Sequence, residues 1–354
     1  MSKHVLIICN TAYQLLTGVQ MRQKIYPTDR VDLLLSNQMV GGDAVAKRAQ
    51  SGSLFEHVAY VENKKQTFRN RLAETVHDLR LIRSLRSQLG EYDVVCLSNI
   101  SVFTILFLRF YQRRWFELNI FEDGFVTYCR SFEHSDRASI ISRIINPKGI
   151  LGNVSHIYLF NPDLLEWRRD NIVPVAIPKF DRNDTTTITE LNRIFGYSGE
   201  VDKYDKPYLF MEESFFADRF PVDDVRLVVM MADKVGKENV MVKLHPRNPE
   251  NRFEKLGIKT NRVFSTPWEL ILLNTDLQNC TLVSISSSSI LQPYLLLGMP
   301  IKAISLLKLL PEKPGNMKGE LGVFMQALFD KYNNICLSPA SEEEFLEELT
   351  RQRP

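Results

Sequence analysis

A two-domain α/β protein with mainly parallel sheets is what this sequence predicts, and three observations carry the prediction. Short apolar runs alternate with helically spaced stretches, the strongest runs are apolar without internal alternation, and the pattern breaks once and restarts. A continuous apolar run fits a strand covered on both faces, as in a parallel sheet flanked by crossover helices. Strands alternating with helices then select the α/β layer architecture. At 354 residues the chain is long enough for two such domains.

The elements follow in order. Residues 5–9 (Val-Leu-Ile-Ile-Cys) form the first strand, and Asn10-Thr11 supplies a helix N-cap before a helical pattern over 12–24. Residues 31–35 and 55–61 read as strands with a helix over 42–49 between them. Leu72, Val76, Leu79, Ile82 and Leu85 recur at helical spacing within 70–89; 92–97 is the next strand, 101–113 a helix and 115–121 a strand. The segment from Pro178 to Thr187 is polar and turn-rich, as is 198–207, so a linker is expected at 179–206 between domains 1–178 and 207–354. Beyond it, 207–211, 240–244, 282–285 and 301–304 read as strands, and 223–235, 287–297 and 320–332 as helices. Two Rossmann-like domains facing across a cleft, the GT-B type outline, is the expected fold.

Composition narrows the function. Lys and Arg number 44 against 42 Asp and Glu, a net charge of +2, which excludes a dedicated nucleic-acid binder with its basic stripe. With 44% hydrophobic and 24% charged residues, wholesale disorder is excluded too. Cys9, Cys96, Cys129, Cys280 and Cys336 lie far apart without a CxxC pair or zinc spacing, so reduced thiols, no metal and a cytoplasmic location are expected. No signal-peptide pattern opens the sequence, and the longest apolar stretch, 102–108, is too short to span a bilayer. Residues 102–111, followed by Arg113-Arg114-Trp115, fit a buried crossover helix better than a membrane-surface element. The basic region of Arg137, Arg143 and Lys148 fits a solvated helix better than a membrane contact. His4, His57, His77, His134 and His156 are scattered without ligand spacing.

Ligands of open α/β sheets bind outside the carboxyl ends of the strands, and four such places carry polar residues. Glu122-Asp123-Gly124 offers a carboxylate as general base, its pKa raised by its neighbour, or else a solvated turn. Lys243, His245, Pro246 and Arg247 close a buried strand with charges that suit a phosphate, His245 being held extended by the proline. In Thr266-Pro267-Trp268-Glu269 the spacing is that of a capping box with proline at the first helical position; otherwise Glu269 accepts from ribose hydroxyls. Ser286, Ser287 and Ser288, between a strand and a helix start, form an anion site or a plain N-cap. Asp223, with Asp224, fits the first turn of a helix.

In this order the motifs resemble bacterial sialyltransferases, most closely the lipooligosaccharide/capsule branch (glycosyltransferase family 52). The acid-acid-Gly, His-Pro, Glu and Ser-Ser motifs carry the resemblance, together with the opening Cys9 to Leu16, whose Thr11 and Gln14 match the family's Thr-x-x-Gln-Leu turn. The resemblance implies the GT-B fold, inverting transfer from CMP-sialic acid without a metal, and a galactose-terminated lipooligosaccharide or capsule acceptor. It implies an acceptor and base domain at 1–178 and a CMP-sugar domain at 207–354. Glu122 or Asp123 would be the base, Asp223 the second choice. His245, if protonated, and the serines would hold the departing phosphate, and Glu269 the ribose, with Gly124, Lys243, Pro246, Arg247 and Trp268 around them. A peripheral contact with the inner membrane face and a homodimer stay open. The alternatives are another cytidine- or uridine-nucleotide-dependent glycosyl or glycerophosphoryl transferase, and a non-catalytic nucleotide-binding subunit.

Overall fold

In the computed structural model, residues 2–39, 41–62, 71–86, 88–111, 115–130, 151–314 and 317–351 are described. The chain divides into two compact units, one of Met1–Pro178 with Asn183–Tyr197 and one of Lys179–Arg182 with Ser198–Pro354.

The first unit is built on a seven-stranded parallel sheet of β1 (His4–Cys9), β2 (Arg30–Ser36), β3 (Val58–Val61), β4 (Val94–Leu97), β5 (Glu117–Phe121), β6 (Val154–Leu159) and β7 (Val173–Ala176). The order is β3-β2-β1-β4-β5-β6-β7. Helices α1 (Ala12–Lys24), α2 (Gly42–Gln50), α3 (Arg71–Leu85), α4 (Val102–Phe110), the short α5 (Val126–Cys129) and α6 (Thr185–Phe195) belong to it. The apolar runs are buried on both faces: Leu6, Ile7, Cys9, Leu33, Val95, Cys96, Ile120 and Phe121 have essentially no solvent exposure. Thr11 caps α1 by accepting from the Gln14 N–H. Gly18 brings α1 close to β1, since a Cβ there would meet Cys9 Sγ and Ile7 Cγ2 at 3.2 Å. Strand order reverses between β1 and β4, which opens a crevice at their carboxyl ends.

Two elements depart from expectation. β6 and β7 lie in a region that showed no strand pattern. The expected linker carries α6, which packs on the first unit. Asp184 caps it by accepting from Thr187 N–H and pairs with Lys24 at 2.7 Å, while Arg48 Nε donates to Ile194 O at 2.7 Å. Leu191 and Ile194 are fully buried.

The second unit repeats the design. β8 (Tyr208–Met211), β9 (Val240–Lys243), β10 (Lys259–Thr260), β11 (Thr281–Ser284), β12 (Lys302–Ser305) and β13 (Cys336–Leu337) form a parallel sheet in the order β10-β9-β8-β11-β12-β13. Its helices are α7 (Asp224–Val235), α8 (Trp268–Asn274), α9 (Gln292–Leu297), α10 (Glu320–Lys331) and α11 (Glu342–Thr350). Phe210, Val228, Met231, Val242, Phe253, Val283 and Phe345 centre its core. Here the order reverses between β8 and β11.

The histidines are less scattered than the sequence implied. His4 Nε2 lies 3.0 Å from Asp32 Oδ2 and His57 Nδ1 3.2 Å from Oδ1, and the Tyr92 hydroxyl donates to Oδ2 at 2.9 Å. His4, Asp32 and Glu56 bring potential ligand atoms within 4.8 Å of one another. Arg30 already takes both Glu56 oxygens at 2.7 Å, so the cluster reads as an ion-pair network tying β1 to β2. His134, Arg137, Arg143 and Lys148 lie outside the described residues. All five cysteines are free and buried. Among the described residues no helix is long and apolar enough to cross a membrane.

Candidate active site

At the end of β5 the acid pair splits into two environments. Glu122 is 1% exposed and accepts hydrogen bonds from the Tyr13 hydroxyl at 2.5 Å, the Tyr128 hydroxyl and the Phe160 N–H at 2.9 Å. It thereby fastens β5 to α1, α5 and the end of β6. Burial, not the neighbouring acid, is the main cause that lifts its pKa from 4.5 to about 6; the hydrogen bonds oppose the shift. The stabilising contribution of the protonated form is fully present below pH ~4.5 and is lost as pH rises through about 6. At neutral pH the ionised group costs about 2 kcal/mol.

Asp123 is only partly buried. Its backbone N–H donates to Thr127 Oγ1 at 2.8 Å, and burial raises its carboxyl above the ordinary value while Gln14 opposes that rise. Gly124 follows at φ +71°, a conformation costly for other residues, and turns the chain sharply behind the carboxylate. Gln14 is fully buried. Its Oε1 takes the Asn10 N–H at 2.6 Å, which leaves the Nε2 donor toward Asp123. Thr11, Gln14, Glu122, Asp123 and Gly124, expected from sequence, thus gather on one edge of the first sheet, with Tyr13 as an addition.

In the second unit β9 ends at Lys243, and His245 follows, both partly buried. The Lys243 carbonyl accepts from Glu212 N–H at 3.0 Å, while the Lys243 ammonium makes no ion pair or hydrogen bond among the described residues. Burial pulls its pKa down, and the nearby acids Glu269 and Asp202 oppose that. The condition that His245 be protonated is not met in the free enzyme. Burial first, then Arg247 and Lys243, lower its pKa to about 4, so the ring is neutral at pH 7. Its Nδ1 accepts from the Arg247 N–H at 3.2 Å, which leaves the ring proton on Nε2. A cavity of about 210 Å³ beside it is lined by Glu212, His245, Pro246, Asn248 and Phe264 among others. A neighbouring cavity of about 660 Å³ shares Leu244, Asn251 and Phe264 with it. Arg247 is turned to Asp218 at 3.3 Å and Ser214 Oγ at 2.6 Å.

Several other candidates have structural duties. Asp223 is exposed and caps α7 by accepting from Arg226 N–H at 2.9 Å; Asp224 is buried and gripped by both Arg252 terminal nitrogens at 2.7 and 2.8 Å. The expected capping box does not form. α8 starts at Trp268 with Pro267 as its N-cap and no side-chain cap bond, because a proline N-cap has extended backbone here and Glu269 is turned inward. Glu269 is 7% exposed, raised by burial with Lys243 and Gln292 opposing. Trp268 donates from Nε1 to Ser289 O at 3.0 Å and so ties α8 to the serine run.

The serine run is not empty-handed. Glu213 places one carboxylate oxygen on Ser284 Oγ at 2.9 Å and Ser286 N–H at 2.7 Å, and the other on Ser286 Oγ at 2.6 Å. Ser287 Oγ pairs with Ser289 Oγ at 2.8 Å, while the Ser288 hydroxyl has no partner among the described residues. Of the three serines expected to hold phosphate, Ser286 is thus already engaged by a carboxyl that burial raises above its ordinary value while the serine hydrogen bonds oppose the rise. Glu212 and Glu213 were missed, although they repeat the signal of Glu122-Asp123: two acids directly after a buried strand. Glu213→Ala should lower the stability of the second unit by about 2–4 kcal/mol, since the Ser286 N–H and hydroxyl lose their acceptor. Urea unfolding measures this, and inorganic phosphate should restore part of the loss. A variant as stable as the parent, indifferent to phosphate, would contradict it.

The family model for alpha-2,8-polysialyltransferases (POLYST) matches residues 5–308, from β1 through β12, a range that contains all the candidate site residues. No curated protein matches the chain. Among solved structures, the UDP-GlcNAc 2-epimerase of Methanocaldococcus jannaschii is similar over 99% of this chain and 94% of its own at 12% identity, with a TM-score of 0.56. The α/β-galactoside α-2,3-sialyltransferase of Photobacterium phosphoreum is similar over 96% and 99% at 12% identity, TM-score 0.52. The glycosyltransferase SnogD of Streptomyces nogalater is similar over 100% and 96% at 11%, TM-score 0.52. Such likeness speaks for the fold, the GT-B type expected from sequence. The family model names polysialyltransferases, not the lipooligosaccharide branch suggested by the motifs. The chain belongs to the alpha-2,8-polysialyltransferase family: it is a sialyltransferase.

Proposed function

We propose that this enzyme transfers sialic acid, with inversion, from CMP-sialic acid to the terminal sialic acid of a growing α-2,8-linked chain. The family match across both units carries the reading, and the chemistry of the residues agrees with it. A sialyl-terminated acceptor replaces the galactose suggested by the motifs.

Asp123 takes the proton of the acceptor hydroxyl as that oxygen attacks the anomeric carbon. The new carbon–oxygen bond forms as the bond to the CMP phosphate breaks on the opposite face. Of the two acids Asp123 has the open side; Glu122 already accepts three hydrogen bonds and serves to hold the turn. The second unit takes the nucleotide. Neutral His245 donates from Nε2 to the departing phosphate, and Lys243 contributes an unpaired positive charge. Ser287 and Ser288 supply hydroxyls, Glu213 fixes the loop that carries them, and Glu269 accepts from the ribose. The cavity beside His245 and the larger one adjoining it offer room for the nucleoside. With one phosphate leaving, these donors take the part a divalent ion plays for nucleotide-diphosphate sugars.

Turnover assays with each donor and acceptor test this. CMP should be released from CMP-sialic acid at a rate raised at least about tenfold by a sialyl-terminated oligosaccharide, and a chelator should leave that rate unchanged. Faster transfer to a galactose-terminated acceptor would overturn the acceptor, turnover of CDP-glycerol or UDP-sugars the donor. Binding of cytidine nucleotides without turnover would overturn the enzyme.

A further inference from the structure

Directly after β8, Glu212 is 5% exposed and has both carboxylate oxygens engaged. Oε2 accepts the His245 N–H at 2.8 Å, and Oε1 accepts from Arg252 Nη2 at 2.7 Å. The Arg252 guanidinium also grips Asp224 and packs against two rings, its centre 4.7 Å from that of Phe216 and 5.5 Å from that of Phe253. Glu212 is therefore held in one orientation by a cation that is itself fixed.

The peptides around His245 have little freedom. Leu244 N–H donates to Asn261 Oδ1 at 2.6 Å, Pro246 has no N–H to give, and Asn248 N–H donates to His245 O at 3.0 Å. With the His245 N–H on Glu212 and the Arg247 N–H on Nδ1, every N–H from Leu244 to Asn248 has a partner. The ring nitrogen left to face a ligand is Nε2.

We infer that Glu212, clamped by Arg252, is a positioning residue for His245: it fixes the peptide from which the imidazole projects and so aims Nε2–H at the departing phosphate. This rests on the role proposed for His245. A tie between strands alone would not need the side chain, since the Glu212 N–H already joins the end of β8 to the Lys243 carbonyl. Glutamine cannot take its place. Both neighbours are donors, and an amide that offers its oxygen to one turns its own N–H against the other.

A double-mutant cycle on CMP release from CMP-sialic acid tests this, beside nitrogen NMR of the imidazoles. Glu212→Gln should lower turnover about 30-fold in the parent but less than about threefold in a His245→Ala background, because the loss runs through the ring. A general loss of stability would act equally in both backgrounds and cancel. Arg252→Lys, which keeps the charge but spans the two carboxylates poorly, should cost about fivefold in the parent and carries the same cycle if Glu212→Gln does not fold. In the spectrum, His245, assigned by its absence from His245→Gln, should be the Nε2–H tautomer alone in the parent and a mixture of tautomers in Glu212→Gln. Equal losses in the two backgrounds, or an unchanged His245 tautomer, would overturn the inference. A parent that releases no CMP refutes sialyl transfer instead, and the tautomer measurement, which needs no substrate, then decides the part of Glu212 alone.

Discussion

Asp123→Asn should lower turnover about 1,000-fold while leaving the fold and CMP binding intact, within the usual contribution of a positioned general base. The substitution is isosteric, and the backbone around it is held by Thr127 and by the left-handed Gly124. What it removes is the one acid of the pair with access to a ligand. Partial burial makes Asp123 a stronger base than a free aspartate. Glu122→Gln is the companion. Its amide can donate to the Tyr13 oxygen while its carbonyl still accepts from Tyr128 and Phe160, so turnover should fall only about tenfold through a loosened turn. It should also flatten the dependence of stability on pH between ~4.5 and about 6, where the parent's Glu122 titrates. Steady-state rates and urea unfolding at several pH values measure both. If Asp123→Asn stays within tenfold of the parent, or Glu122→Gln is the more damaged variant, the roles are reversed.

That assignment shows where sequence reasoning stops. The strands of the first sheet were legible because a parallel sheet buries both faces, so residues 5–9 and 31–35 had to be apolar throughout. β10 and β13 were not, since two residues hold no period. α6 is a different failure: Ile188, Leu191, Ile194 and Phe195 stand at helical spacing behind an Asp184 cap, but Thr185-Thr186-Thr187 read as a loop. While Thr11 and Gln14 came from the family resemblance, residue types at the strand ends were enough to single out Glu122, Asp123, Lys243, His245 and the serines as candidates. They could not tell which acid of a pair turns inward, because that depends on Tyr13, Tyr128 and Phe160, which come from three other elements. Nor could they give the charge of His245, which burial decides.

The neutral imidazole has a kinetic consequence. His245→Ala should reduce turnover by about 100- to 1,000-fold, whereas His245→Gln, which keeps a neutral N–H donor, should retain CMP affinity within about threefold and still lose most of the turnover. The reason lies in two separate tasks. Donation from Nε2 holds the phosphate in the ground state, and a glutamine amide can imitate it. Receiving and giving a proton as the phosphate gains charge requires a ring whose pKa climbs when that charge arrives, and an amide cannot follow. The free enzyme holds the ring near pKa 4 through burial and the adjacent Arg247 and Lys243, and an incoming phosphate supplies the opposite charge that raises it. CMP should accordingly bind the parent more tightly as pH falls from 7 toward 5, by a margin beyond the one both variants show from the nucleotide's own titration. Calorimetric titration of CMP at several pH values, beside single-turnover rates, separates the tasks. Identical pH dependence in parent and His245→Gln, or full turnover by the glutamine variant, would reduce His245 to a neutral anchor and leave the departing phosphate to Lys243 and the serines.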